Sequence, residues 1–285
     1  MLKLLLFLTF FGAADHSAFV HAVPSPVVVS EQATIKIITT GFLPASTWRY
    51  KQNINILRKA GYDVRLSIPA NTRLEERERA LLYAMLDKDG VDCENYVCLR
   101  GGFGSSDLLD RIPYDELIGT NKRVFGYSDV TSVQSALWTK SGLVSFHAPM
   151  IATGTWRSLN APEMQTLTGI MNGTTSAGTI PLLPRNASSS DDSGDVNEPL
   201  EGILYGGTFS VLTNLIGTPY MPASLDGYIL FIEDTGESHH RLIRYFNQWL
   251  QSGMLDGVRA IILGNFGKFS NKQRTWLRQA FEKRA

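Results

Sequence analysis

Cysteine is nearly absent from this chain: Cys93 and Cys98 are the only two among 285 residues. That excludes a disulfide framework as the basis of the fold, because scaffolds held that way carry several bridges in a much shorter chain. A Cys93–Cys98 bridge also needs the chain to fold back at Glu94-Asn95 if Tyr96 to Arg100 is extended, so two semi-buried thiols are expected. An excess of charge is missing too, with 27 basic and 27 acidic residues. The balance leaves no electrostatic footprint for nucleic acid or an anionic membrane surface and points to a small molecule or peptide as partner. Neither HExxH nor another metal-ligand spacing surrounds the histidines. The glycine loop Gly101–Gly104 lacks both the GK[ST] of a P-loop and the spacing of a dinucleotide fingerprint. No cofactor and no metal are expected.

A long apolar run occurs at the start, where one lysine precedes LLLFLTFFGAA and Val20-His21-Ala22 offers small residues to a signal peptidase. Residues 1–22 therefore read as a signal peptide, cleaved after Ala22, with a periplasmic or extracellular destination. The run is too short to span a bilayer stably, and Asp15, His16 and Ser17 follow it closely.

From Thr34 onward, strand-like and helix-period stretches alternate. IKIITT, YDVRLSI and NYVCLR read as strands; TWRYKQNINILRKAG and RLEERERALLYAMLDKDG read as helices. Such alternation predicts a parallel sheet covered on both faces, with its ligand crevice at the carboxyl ends of the strands. The polar run NASSSDDSGDVN, at 186–197, reads as linker or exposed loop. Beyond it come the strand GYILFIE, the helix SHHRLIRYFNQWLQSG, the strand VRAIILGNF and the helix KQRTWLRQAFEKR. The expected organisation is an N-terminal α/β domain over 33–165, a linker or exposed loop over 166–199, and a smaller C-terminal α/β domain over 200–285.

The chemistry is expected in RVFGYSDVTSVQSALWTKSG, at 123–142. Arg123 to Tyr127 is strand-like, and a helix stripe of Val133, Ala136 and Leu137 begins at Thr131 and stops at Gly142. A serine between strand and helix has the layout of a nucleophile elbow, which lifts the Ser128 hydroxyl clear of the sheet toward the first N–H groups of the helix. The plainer alternative is that Ser128 or Asp129 caps the helix. The glycine loop suits a close backbone approach to a reacting carbonyl.

RGGFGSSDLLDRIPY, VFGYSDVTSVQSALWTKSGLVSFHAPM, GILYGGTFSVLTNLIGTPY and GYILFIEDTGE, in this order, resemble the LD-carboxypeptidase family, which includes the microcin-immunity serine peptidases. The resemblance implies a two-domain α/β serine peptidase, an N-terminal three-layer domain on a parallel sheet plus a smaller C-terminal domain, with a Ser-Glu-His triad. Its expected partner is a murein peptide that loses a terminal D-alanine across an L,D amide bond. Ser128 matches the nucleophile and Glu233 the triad acid; the Gly102 and Asp129 backbone N–H groups match the oxyanion hole. The family's histidine lies well downstream of the acid, and no histidine here follows His240. The C-terminal domain is therefore expected to be incomplete and to expose apolar surface near Ile261 and Leu263. His147 matches the family's F-H-G-P position, a structural or cleft-lining role, while His239 and His240 are surface residues or, with Glu237, a metal pair. Two alternatives accompany the peptidase: a catalytically silent muropeptide-binding or truncated homologue, and a microcin-immunity-type peptidase. A second copy of the chain, forming a homodimer, is the other partner considered.

Overall fold

The structure, a computed structural model, describes residues 18–21, 33–44, 48–69, 71, 73–174, 179–182, 201–267 and 269–284. Most of the expected signal peptide and the 186–197 run lie outside these residues. In chain order the elements are β1 (Ala18–His21), β2 (Thr34–Ile38), α1 (Trp48–Lys59), β3 (Asp63–Ser67), α2 (Leu74–Met85), β4 (Asn95–Cys98), α3 (Tyr114–Leu117), β5 (Arg123–Gly126), α4 (Thr131–Ser141), β6 (Ser145–His147), α5 (Gly154–Arg157) and α6 (Ala161–Met171). They continue with β7 (Thr179–Leu182), β8 (Ile203–Thr208), α7 (Phe209–Thr213), β9 (Tyr228–Glu233), α8 (His239–Gln251), β10 (Ala260–Leu263) and α9 (Asn271–Glu282).

Five strands form a parallel sheet in the order β3-β2-β4-β5-β6. Side chains alternate between its faces. Ile35, Ile37, Val97, Phe125 and Phe146 pack with Ile54 and Leu57 of α1 and Leu167 and Ile170 of α6. Ile38, Tyr96, Cys98 and Val124 face Leu81 and Met85 of α2 and Val133 and Leu137 of α4. These layers are the α/β architecture the sequence predicts. The two cysteines are free and buried.

A second parallel sheet, β10-β9-β8, presents Tyr205, Leu230 and Ile232 to the same core as α4. This explains a departure from expectation. The sequence stripe gives α4 one apolar face, yet Thr131 through Leu137 are all buried, because the helix lies between the two domains. Most of its polar side-chain atoms find partners there, Gln134 Oε1 excepted. Gln134 donates to the carbonyls of Gly126 and Phe146, both at 3.0 Å. Ser135 donates to the Tyr220 carbonyl at 2.7 Å and lies 2.6 Å from the Tyr205 hydroxyl.

Two further expectations need correction. The span 166–199 is not all linker: α6 runs to Met171, opened by an Asn160/Glu163 capping box and holding Leu167, Ile170 and Met171 in the core. Thr179–Leu182 is a strand paired antiparallel with Ala18–His21. Nor are Ile261 and Leu263 stranded at a surface. Both are half-buried against the main core, while Ala260 and Ile262 on the opposite face meet the small cluster of Leu204, Ile229 and Phe231.

Candidate active site

β5 ends at Gly126, and the chain turns through a 3-10 segment, Ser128–Val130, into α4. The turn is tight. Tyr127 is extended, and Ser128 then takes φ +64°, a left-handed conformation that costs a non-glycine residue about 1 kcal/mol or more. Gly126 permits it, since a Cβ there would stand 3.0 Å from Val130 Cγ1 and 3.2 Å from Cys98 Cβ.

The glycine loop lies directly against this turn. A Cβ on Gly101 would come within 3.0 Å of Ser128 Cβ, 3.1 Å of its Oγ and 3.4 Å of the Asp129 nitrogen. Gly102 has φ +127°, a backbone that side chains rarely tolerate. The loop is stapled from behind by the buried Arg77, which donates to the carbonyls of Gly104 at 2.6 Å and Thr40 at 3.0 Å and pairs with Asp107 at 3.0 Å. Asp129 does not cap α4. Its Oδ2 accepts the Ser105 N–H at 2.9 Å and so fixes the loop to the serine turn. The Asp129 N–H itself belongs to the start of the turn, where such groups have no partner within the helix.

Glu233 ends β9 opposite Thr208 of β8. Thr208 donates its hydroxyl to Glu233 Oε1 and its N–H to Thr131 Oγ1, the latter at 3.2 Å. A Cβ on Gly207 would stand 2.6 Å from Thr131 Cγ2, so glycine lets the second sheet press on the start of α4. Thus Ser128, Glu233, Gly102 and Asp129 gather where the two domains meet. Thr131 and Thr208 build that junction and Arg77 holds the glycine loop beside it; none of the three was singled out in the sequence. In the sequence the Gly206-Gly207 pair stands only as part of the motif GILYGGTFSVLTNLIGTPY.

His147 closes the group. The β5–β6 register sets it opposite Gly126, and its Nε2 is 3.9 Å from Glu233 Oε1. Its ring contacts Tyr127 and Phe231, with centroids 5.9 and 5.5 Å away. Burial lowers the imidazole to about 4 and raises the Glu233 carboxyl to about 7, the latter against the Thr208 hydrogen bond. His147 is therefore neutral at pH 7 and the contact is not a salt bridge. Its buried Nδ1 has no partner among the described residues. Asp234 accepts the N–H groups of Ser210 and Thr235, each at 2.8 Å, and so holds the loop after β9. The His239 and His240 rings meet at a tilt, centroids 3.9 Å apart, and His239 also meets Trp276 edge-on at 4.9 Å, while Glu237 pairs with Arg241 at 2.9 Å. Among the described residues no group of three or more His, Cys, Asp or Glu could hold a metal ion.

Residues 35–148 match the model of the LD-carboxypeptidase N-terminal domain, and residues 201–285 match that of the LD-carboxypeptidase C-terminal domain. A Synechocystis sp. protein named as a carboxypeptidase is 32% identical over 229 residues, 76% of this chain and 68% of that one. The microcin C7 self-immunity protein of Escherichia coli is 30% identical over 189 residues, 59% of this chain and 55% of its own. The chain thus spans between about half and about two thirds of the length of these relatives. The crystal structure of muramoyltetrapeptide carboxypeptidase from Oxalobacter formigenes superposes with a TM-score of 0.67 at 29% identity, covering 87% of this chain and 84% of that one. The two matched domains, and the relative covered over two thirds of its length, place this chain in the LD-carboxypeptidase family.

Proposed function

We propose that this chain is a serine carboxypeptidase that hydrolyses the L,D amide bond of a murein tetrapeptide and releases the terminal D-alanine. The left-handed Ser128, held at the mouth of β5 with Gly101 pressed against it, carries the reading. Ser128 Oγ attacks the amide carbonyl carbon. The oxygen becomes an oxyanion facing the Gly102 and Asp129 N–H groups, and the amine of D-alanine departs with a proton. Water then attacks the acyl-serine ester and frees the tripeptide. Glu233 orients the imidazole that takes the serine proton and, once ionised, stabilises the imidazolium. In the family that imidazole comes from a segment downstream of the acid; among the described residues the histidine beside Glu233 is His147.

The absence of any hydrogen bond from His147 to Ser128 or Glu233 supports a second reading, a muropeptide-binding protein that keeps the cleft without the proton relay. D-Alanine release from a murein tetrapeptide by the purified chain separates the two. Turnover abolished by Ser128→Ala is the expected outcome, and tight binding without turnover identifies the silent binder.

The apolar start further supports export. The expected N-terminus of exported material is Val23; one that retains Ala18–His21, the strand paired with Thr179–Leu182, overturns that expectation.

A further inference from the structure

A cleft that the proposed chemistry leaves unused opens between α1 and the α5–α6 pair. Ile54, Leu57, Trp156 and Leu167 of these helices pack on one face of the five-stranded sheet, while α4 and the second domain pack on the other. The cleft has a volume of about 520 Å³, within the range of about 300–1,000 Å³ that small-molecule sites occupy.

Its lining decides the charge of an occupant. Lys59 at the end of α1 and Arg157 at the end of α5 line the cleft, and among the described residues no acidic side chain does. Neither cation makes an ion pair or hydrogen bond among the described residues. By contrast, the exposed Arg65, Arg111 and Arg241 pair with Asp63, Glu78 and Glu237. An oxyanion is the missing partner, and the planar guanidinium fork matches a carboxylate well.

The remaining side chains decide the body of the occupant. Gln52 and Asn55, both exposed on α1, offer amide donors and acceptors together, which is what a peptide group requires. The Asn53 carboxamide beside them is held in place, its Nδ2 donating to the Ile151 carbonyl at 2.6 Å. Ile56, Leu159 and Met164 supply an apolar wall. Trp156 is the one aromatic residue of the lining, and at 2% exposure it presents no ring face on which a sugar or nucleobase could stack. Its indole N–H is buried without an acceptor among the described residues, an uncommon state for a polar group inside a fold.

We propose that this cleft is a second binding site, separate from Ser128, for a short peptide with a free C-terminal carboxylate. The carboxylate pairs with Arg157 and Lys59, the peptide groups bond to Gln52 and Asn55, and an apolar side chain lies on Ile56, Leu159 and Met164. A peptide carbonyl drawn into the cleft supplies the acceptor that the Trp156 N–H lacks. The site does not depend on the reaction at Ser128.

Calorimetry on the full chain tests it with acetyl-L-leucyl-L-alanine, which lacks a terminal D-residue and so is no substrate for the reaction proposed at Ser128. One peptide per chain is expected to bind, and its C-terminal amide to bind about tenfold more weakly or worse. Lys59→Gln together with Arg157→Gln should weaken the acid about tenfold or more and leave the amide unchanged, whereas Arg157→Lys retains most of the affinity. Both side chains are exposed, and an unchanged thermal midpoint reports an intact fold. No binding of the acid, equal binding of acid and amide, or affinity that survives the double substitution overturns the site. Inorganic phosphate that displaces the peptide and binds as tightly would reveal a bare anion site and overturn the peptide assignment.

Discussion

Apart from glycines, two described residues, Ser128 and Asp87, have positive φ, +64° and +49°, and both sit beside buried polar groups. Around Asp87 every charge is answered. Lys36, only 1% exposed in the middle of β2, reaches Asp87 at 2.6 Å, Asp89 at 2.7 Å and the Val91 carbonyl at 2.8 Å. Lys122 and the Tyr96 hydroxyl bind the same Asp87 carboxylate. Burial alone would lower the Lys36 ammonium, but the hydrogen bonds and charges of Asp87 and Asp89 outweigh it and leave the group raised. Around Ser128 the buried polar groups are answered only in part: Glu233 keeps the Thr208 hydroxyl yet is pushed toward neutrality, His147 is held neutral, and the imidazole Nδ1 has no partner among the described residues. A satisfied network stabilises one conformation. An unsatisfied one stores readiness for a ligand or a proton.

The largest expected effects separate these two regions. Ser128→Ala should lower D-alanine release by about a thousandfold or more while moving the thermal midpoint by no more than about 2 °C. Loss of activity together with a large drop in melting temperature would mean that the serine turn is structural. Lys36→Met is the mirror case. It leaves Asp89 without its cation and Asp87 with Lys122 alone, and should destabilise by about 3 kcal/mol, as read by urea denaturation, with the specific activity of the folded fraction unchanged.

Smaller, and opposite in sign, are two pH effects within the site. Glu233 titrates higher in the folded chain than in the unfolded one, so the folded state binds the extra proton and stability falls as pH rises from the ordinary 4.5 to about 7. His147 titrates lower than usual, so its contribution is present above 6.5 and is lost as pH falls through about 4. Each amounts to about 3 kcal/mol, and in the wild type the two nearly cancel between about pH 4.5 and 6.5. Glu233→Gln should expose the His147 slope, with stability rising across that window; His147→Gln should expose the falling Glu233 slope. Denaturant midpoints measured from pH 4 to 8 decide it, and identical profiles for both variants would break the account. Activity of the wild type should rise with pH through about 7 as Glu233 ionises.

The sequence made these two regions unequally legible. The serine turn is local: a strand, Gly126, Ser128 and a helix period ending at Gly142 fall within twenty residues, and short-range periodicity reveals them. The Asp87 network is not local, because nothing in IKIITT tells which distant carboxylates will answer Lys36. The same limit hid the Thr131–Thr208–Glu233 link and the approach of His147 to Glu233, both of which need the second sheet docked on α4. That docking also covers Ser135, which meets Tyr205 and Tyr220, a polar residue that a single-stripe reading assigns to solvent. Helix α6 was hidden for a different reason: its Thr and Gly content weakens the helical signal, and packing of Leu167 and Ile170 decides the outcome.

The smallest effect tests how closely the loop and the serine must fit. A methyl group added at Gly101 or at Gly61 meets opposite settings. At Gly61, with φ +96° and open space around it, an alanine strains only the turn after α1. At Gly101 the new methyl stands 3.0 Å from Ser128 Cβ and 3.1 Å from Oγ, closer than side chains normally pack, so loop and nucleophile must separate by a few tenths of an ångström. Such a shift moves the Gly102 N–H away from the position the oxyanion occupies. Gly101→Ala should therefore lower kcat by about tenfold with KM little changed, since the lost interaction develops in the transition state. Gly61→Ala should cost about 1 kcal/mol of stability and leave kcat alone. A Gly101→Ala chain with full kcat would mean that the oxyanion is held by donors other than this loop.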